Sequence, residues 1–294
     1  MWSTVTARRT IDLVMADSDG RYLDPRVFFY DQELRRYAVS IAPVTRNGDG
    51  RWRPDVLQAG SGTCIRIAGR FFIATAAHVV LGFPETSYWV ATPTTTTGGL
   101  TVIGGGRRGG RNGQALDAAW LELPSSAASA AGRYFLDIAR LGPYRNDLGE
   151  PVRVYGFPIE HQERRANSAQ AVGTTWTTRG LAEEDVAGVD RSRRLYLEWL
   201  RMVPGLNDQS YEQPDAHGLS GGGIWAINTR AHGEAWRPDQ AQLIGIQFAV
   251  DRDQGHCHLI GQQIHVWLEM VAEDLPELAH TINAHLRGAQ LLLT

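Results

Sequence analysis

Short runs of strand-forming residues, each closed by a glycine or proline signal, recur along most of this 294-residue chain and limit the folds open to it. Thr63–Ile67, Arg70–Ala74, Tyr88–Thr92, Leu100–Ile103 and Ala118–Leu123 make one series. Pro151–Phe157, Leu195–Met202, Gly223–Asn228 and Leu243–Val250 make a second, and the small-residue stretch Ser125–Arg133 reads as the link between them. No strand–helix–strand alternation and no internal repeat is visible, so the pattern points to antiparallel barrels or sandwiches rather than a doubly wound sheet. Ahead of the first series, Arg26–Tyr30 and Tyr37–Ile41 read as strands and Asn47–Gly50 as a turn. Ala76–Leu81 reads as one helical turn, and the polar segment Glu160–Asp190 gives no clear period. From Gln263 the period changes. Ile264, Trp267, Leu268 and Val271 share a helix face, and Leu278, Ile282 and Leu286 continue that spacing after Pro276.

The composition narrows the partners. Hydrophobic residues make up 43% of the chain and charged residues 21%, enough for a sizeable buried core. A net charge of -3 gives no reason to expect nucleic acid or an acidic membrane surface. The basic stretch 104–113 has no interleaved aromatics on which bases would stack, so a solvated mobile loop is expected there. No run approaches the roughly 18 apolar residues of a membrane span, and no apolar run of signal-peptide length follows Met1. Two cysteines, Cys64 and Cys257, are too few for a disulfide framework. A cytoplasmic protein is expected.

One stretch stands apart chemically: Gly218-Leu219-Ser220-Gly221-Gly222-Gly223. Glycines allow positive φ and close approach to the main chain, and a serine among them can present its hydroxyl beside converging N–H groups. Those are a nucleophile and an oxyanion hole, although a plain glycine-rich turn would look the same. A nucleophilic serine needs a base. His78 ends the run Phe71-Phe72-Ile73-Ala74-Thr75-Ala76-Ala77-His78, a strand leading into small residues. Asp117 precedes a strand of alternating apolar residues, where a carboxylate can be buried against an imidazole and fix its tautomer. The serine segment also satisfies Gly-x-Ser-x-Gly, the nucleophile elbow of α/β-hydrolases. That fold places acid and base after the serine, where Asp251, Asp253, His256 and His258 lie, but it needs a strand–turn–helix around the serine and βα units before it. Neither is visible.

Taken together, Gly62-Thr63-Cys64-Ile65-Arg66-Ile67, Thr75-Ala76-Ala77-His78, Asp117-Ala118-Ala119-Trp120-Leu121 and Gly218-Leu219-Ser220-Gly221-Gly222 resemble, in this order, the signatures of the chymotrypsin-like (trypsin-like) serine proteases. Gly156-Phe157-Pro158 and Leu243–Phe248 resemble further strands of that family's second barrel, and the match covers about residues 56–270. The resemblance implies an all-β-dominated fold of two antiparallel β-barrels: an N-terminal extension over 1–55, a first barrel over 56–142, a second over 143–262 and a helical segment over 263–294. It implies that His78 is general base and acid, that Asp117 orients it, and that Ser220 is the nucleophile. The N–H groups of Gly218 and Ser220 would form the oxyanion hole. No cofactor and no metal follow from it, and the partner is a protein or peptide substrate.

Departures from the family pattern carry their own expectations. Val79 follows His78 where secreted relatives commonly have cysteine, leaving Cys64 as a buried free thiol. Leu219 replaces the aspartate that pairs with a freed N-terminal amine in many secreted relatives, so activation by that cleavage is not expected. Either the hole is preformed or something else orders it, and a narrow substrate range or an activating protein partner is expected. The base of the specificity pocket falls on Pro214 or Asp215, where an aspartate would select Arg or Lys, and its wall on Phe248 and Val250, where valine in place of glycine would favour a small apolar side chain. His256, His258 and His265 are expected to be surface or hydrogen-bonded residues rather than metal ligands. The expected function is a serine endopeptidase, with a protease-like binding or regulatory module without turnover as the alternative. A bacterial stress or antiviral defence setting follows by family analogy alone.

Overall fold

A computed structural model describes residues 26–46, 52–54, 58–81, 88–91, 101–103, 107–113, 116–130, 132–142, 151–165, 168–171, 173–181, 190–199, 202–204, 210–212, 215–226, 240–253 and 256–291. The turn expected at Asn47–Gly50, residues 1–25 and Pro214 lie outside these.

The first series of apolar runs pairs into one antiparallel sheet, apart from a short parallel contact. Its strands are β1 (Ala38–Arg46), β2 (Trp52–Pro54), β3 (Gly60–Ile67), β4 (Arg70–Thr75), β5 (Tyr88–Ala91), β6 (Thr101–Ile103), β7 (Arg108–Asn112), β8 (Asp117–Leu123) and β9 (Leu136–Asp137). The order is β6-β5-β1-β3-β4-β8-β7, with β2 on β1 and β9 parallel to β3. Thus β1, which falls within the N-terminal extension of the sequence division, sits between β3 and β5 inside this sheet. The second series forms a sheet of β13 (Thr174–Arg179), β10 (Pro151–Gly156), β17 (Gly223–Ala226), β18 (Gln242–Asp253), β19 (His256–Gln263) and β14 (Arg194–Glu198), in that order and antiparallel throughout. Its two edge strands meet: Gly180 bridges to Leu197, and Leu181 N–H donates to the Tyr196 carbonyl at 2.9 Å. This sheet therefore curls round until its edges touch. Two hairpins stand apart, β11 (Gln162–Arg165) with β12 (Ser168–Ala171), and β15 (Met202–Pro204) with β16 (Ser210–Glu212).

Alternation along each strand divides the core into three. Within β3 and β4, Cys64 and Ile73 enter one cluster with Val39, Ile41, Val79 and Leu121, while Ile65, Ile67, Phe72 and Ala74 enter another. Within β17, Ile224 points to a third cluster with Val154, Leu197 and Leu219, while Trp225 joins the Ile65–Phe72 side. Each sheet thus has its own interior, and a shared cluster lies between the sheets and the C-terminal helices. Because both faces of β4 are covered, its stretch Phe71–Ala74 is apolar without a break.

The two C-terminal helices, Ile264–Asp274 and Pro276–Leu291, supply Ile264, Trp267, Leu268, Val271, Leu278 and Ile282 to that shared cluster. Trp267 Nε1 donates to the Ala119 carbonyl at 2.9 Å, Trp120 Nε1 to Asp274 at 2.9 Å, and His285 Nε2 lies 2.8 Å from the Leu141 carbonyl. Arg70 and Arg107 both reach Glu277. The tail packs back on its own chain, as the stripe implies. Among the described residues, no helix is long and apolar enough to cross a membrane.

Four local expectations need correction. Arg26–Tyr30, read as a strand from its aromatic run, begins the helix Arg26–Arg35. There Leu34 is fully buried, Asp31 pairs with Arg153, and Glu33 with Arg140, so tertiary partners override β propensity. The basic stretch expected to be a loop contains a strand, β7, whose Gly110 lies so close to Ala118 and Ala119 that a side chain would not fit. The stretch read as a linker holds a helix at Ser125–Ala130, with Ala128 in the first sheet's interior. The strand expected to run from Leu195 to Met202 stops at Glu198, and Met202 belongs to a separate hairpin.

Candidate functional site

His78 and Asp117 meet because of strand register. Thr75, the last residue of β4, pairs with Ala119 in β8, so the end of one strand lies beside the start of the other. Asp117 opens β8, and three residues after Thr75 the chain reaches His78 on the short helix Ala77–Val80. Ala77, Val79 and Val80 are buried and hold that helix down, leaving the His78 side chain 43% exposed against 14% for Asp117. Asp117 Oδ2 lies 2.7 Å from His78 Nδ1, and Oδ1 accepts the His78 backbone N–H at 3.1 Å. One carboxylate therefore fixes both the ring and the main chain. An ionised carboxylate only accepts, so the shared proton sits on Nδ1 and leaves Nε2 with a free lone pair.

Ser220 arrives from the second sheet, in the turn leading into β17. The bonding of that turn is nearly complete, and the groups left over are informative. The His217 carbonyl accepts Ile159 N–H at 2.9 Å, and the Leu219 carbonyl accepts Gly222 N–H at 2.7 Å. Leu219 N–H donates to Ala216, and Gly221 N–H to the Gln247 carbonyl. Among the described residues, the N–H groups of Gly218 and Ser220 have no such acceptor. A peptide unit is planar and trans, so pinning a carbonyl aims the N–H on its far side. The bonded His217 and Leu219 carbonyls thus fix the direction of these two amides, two residues apart. Gly218 has φ +91°, and a Cβ there would stand 2.7 Å from the Ile159 nitrogen and the Phe157 oxygen, so glycine is required.

The two halves are joined at the serine. The Ser220 carbonyl accepts Ser61 N–H at 2.7 Å, from β3 of the other sheet, and Thr75 Oγ1 donates to the Ser61 carbonyl at 2.7 Å. Gly60, next to Ser61, fills the remaining gap: a Cβ there would lie 2.7 Å from the Val79 methyl groups and 3.0 Å from the Ser220 oxygen. One glycine backbone therefore separates the residue after His78 from Ser220. The Ser220 hydroxyl donates to the Phe248 carbonyl at 3.4 Å, a long bond. Phe248 itself packs on the cluster containing Ala77 and Val79.

The other expected residues are placed as follows. Leu219 is fully buried among Val154, Ala216 and Ile224, so an apolar side chain anchors the turn where a carboxylate would be stranded. Asp215 is exposed and accepts His217 N–H at 3.1 Å. Val250, on β18, packs on the second sheet's interior. Cys64 is buried and free, and burial pushes its thiol up to about 12. Among the described residues, no group of three His, Cys, Asp or Glu side chains is placed to hold a metal. The α/β-hydrolase alternative does not fit, because a strand, β17, follows the serine turn instead of a helix. Sequence reasoning missed Ser61, for which the one available signal was a hydroxyl between two glycines ahead of the histidine strand.

No family model matches the chain, and no curated protein sequence matches it.

Proposed function

We propose that this protein is a serine endopeptidase whose two sheets are the two barrels of a chymotrypsin-like fold. The reading is carried by one observation: the short helix whose imidazole is oriented through Nδ1 by a mostly buried carboxylate packs, through Val79, across one glycine from the carbonyl of Ser220, in a turn whose Gly218 and Ser220 amides are held in fixed directions without a backbone acceptor among the described residues.

In this mechanism Ser220 Oγ attacks the scissile carbonyl carbon and its proton passes to His78 Nε2. The carbonyl oxygen becomes an oxyanion and accepts hydrogen bonds from Gly218 N–H and Ser220 N–H. Collapse breaks the C–N bond, His78 gives its proton to the leaving amine, and an ester remains on Ser220. Water, deprotonated by His78, then attacks the ester, and Ser220 regains its proton as the acid product leaves. Asp117 stays ionised and balances the imidazolium. Attack requires the Ser220 hydroxyl to leave the Phe248 carbonyl and turn toward His78. A pocket lined by Asp215, Phe248 and Val250 would select the residue before the cleaved bond. A cytoplasmic setting belongs to the same proposal, supported by the buried free thiol of Cys64.

The second reading is a protease-like binding module without turnover, and the Ser220 bond to Phe248 is the observation that favours it. Incubation with a proteome-derived peptide library, followed by sequencing of new N-termini, separates the two. The protease yields a consistent residue preference that disappears in Ser220→Ala. A folded protein that generates no new N-termini supports the module.

A further inference from the structure

The geometry points to Ser61 as a positioning residue that keeps the oxyanion site assembled, an inference that rests on the acyl-transfer reading above. Ser61 is fully buried, and each of its polar groups is committed. Its N–H donates to the Ser220 carbonyl at 2.7 Å, and its carbonyl accepts Thr75 Oγ1 at 2.7 Å. Its hydroxyl donates to the Gly218 carbonyl at 2.7 Å and accepts Phe157 N–H at 2.8 Å. A hydroxyl has one proton to give, so these two bonds fix its rotor.

The Gly218 bond carries the consequence. Glycine has several backbone wells of similar energy, and at φ +91° it could leave this one by turning a flanking peptide. The peptide before Gly218 is held by the His217 carbonyl on Ile159, and the peptide after it by the Gly218 carbonyl on Ser61. With both planes fixed, the Gly218 N–H has one direction. The segment carrying Phe157 and Ile159 is tied to the same hydroxyl, since Phe157 N–H donates to it. Leu219, buried in an apolar cluster, offers no charge with which a new terminus could order the turn. Ser61 supplies that order from within the fold, so the site is assembled without a cleavage step.

The test measures the pH dependence, limiting rate and half-saturating concentration for labelling by a fluorophosphonate probe, in wild type, Ser61→Ala and the near-isosteric Ser61→Cys. Misaiming an oxyanion donor slows bond formation without altering encounter, so the limiting rate falls about tenfold or more in both variants. The half-saturating concentration stays unchanged, as does the pH midpoint set by His78 and Asp117. A general loosening of the fold would move all three. Thermal unfolding verifies that each variant is folded, and the cysteine variant keeps the packing if the alanine variant does not. A folded variant whose limiting rate lies within about twofold of wild type overturns the role of Ser61 while leaving the protease reading intact. A wild type that never labels removes both.

Discussion

The two halves of the candidate site are held by different means. On the histidine side a single side-chain pair, His78 with Asp117, does the orienting, and the imidazole is 43% exposed. On the serine side the main chain does it: the Ser220–Gly221 peptide is bonded to Ser61 and Gln247, and Leu219 is sunk in the second sheet's interior. A side-chain pair can be changed without disturbing its scaffold, whereas a turn built from backbone bonds and glycines cannot. Chemistry and stability should therefore separate on one side and remain locked together on the other.

Gly221→Ala should have the largest effect. A Cβ at this position, where φ is +92°, runs into the Ser61 carbonyl oxygen and Thr75 Oγ1. Stability should fall by more than about 4 kcal/mol in denaturant titration, and labelling should disappear with it. Asp117→Asn should behave in the opposite way, losing about 10⁴-fold in reaction rate while the unfolding midpoint hardly moves. A large loss of stability in Asp117→Asn would break the comparison. Leu219→Ala tests the apolar anchor, with an expected loss of about 2–5 kcal/mol by chemical denaturation and a slower reaction.

The smallest effect belongs to Glu277, remote from both halves at the start of the last helix. Its own backbone N–H, then Arg70 and Arg107, hold its carboxyl down at about 2 in place of 4.5. A carboxyl lowered in the folded state stabilises above its unfolded value and loses that contribution as pH falls through the folded one. The slight advantage of wild type over Glu277→Gln should thus be present at neutral pH, shrink between pH 4.5 and about 2, and weaken with added salt. Equal unfolding midpoints at neutral pH and low salt would show that these ion pairs contribute nothing.

The same contrast explains how much could be read from the sequence. His78 and Asp117 were legible because the chemistry needs particular side chains at the ends of strands, and apolar runs mark those strands. The succession of β runs and the C-terminal helical stripe were legible for the same reason. Ser61 was not, because its partners Gly218 and Phe157 lie 157 and 96 residues away and are reached through backbone groups common to all residues. Strand β7 was hidden because Arg, Gly and Asn carry no apolar period; it forms because β8 has a second edge to pair. The helix at Arg26–Arg35 was hidden because ion pairs to Arg140 and Arg153 hold it, not its own propensity. Local signals identify the side chains of the site, while the geometry of the turn is set by distant main chain.

The central claim, that Ser220 is a nucleophile activated by His78, is tested most directly by intact-mass measurement and peptide mapping after exposure to a fluorophosphonate probe. The account predicts one adduct per chain, located on Ser220, absent in Ser220→Ala and strongly slowed in His78→Ala. A folded wild-type protein that gains no adduct at any pH, or that gains it equally in Ser220→Ala, would contradict it.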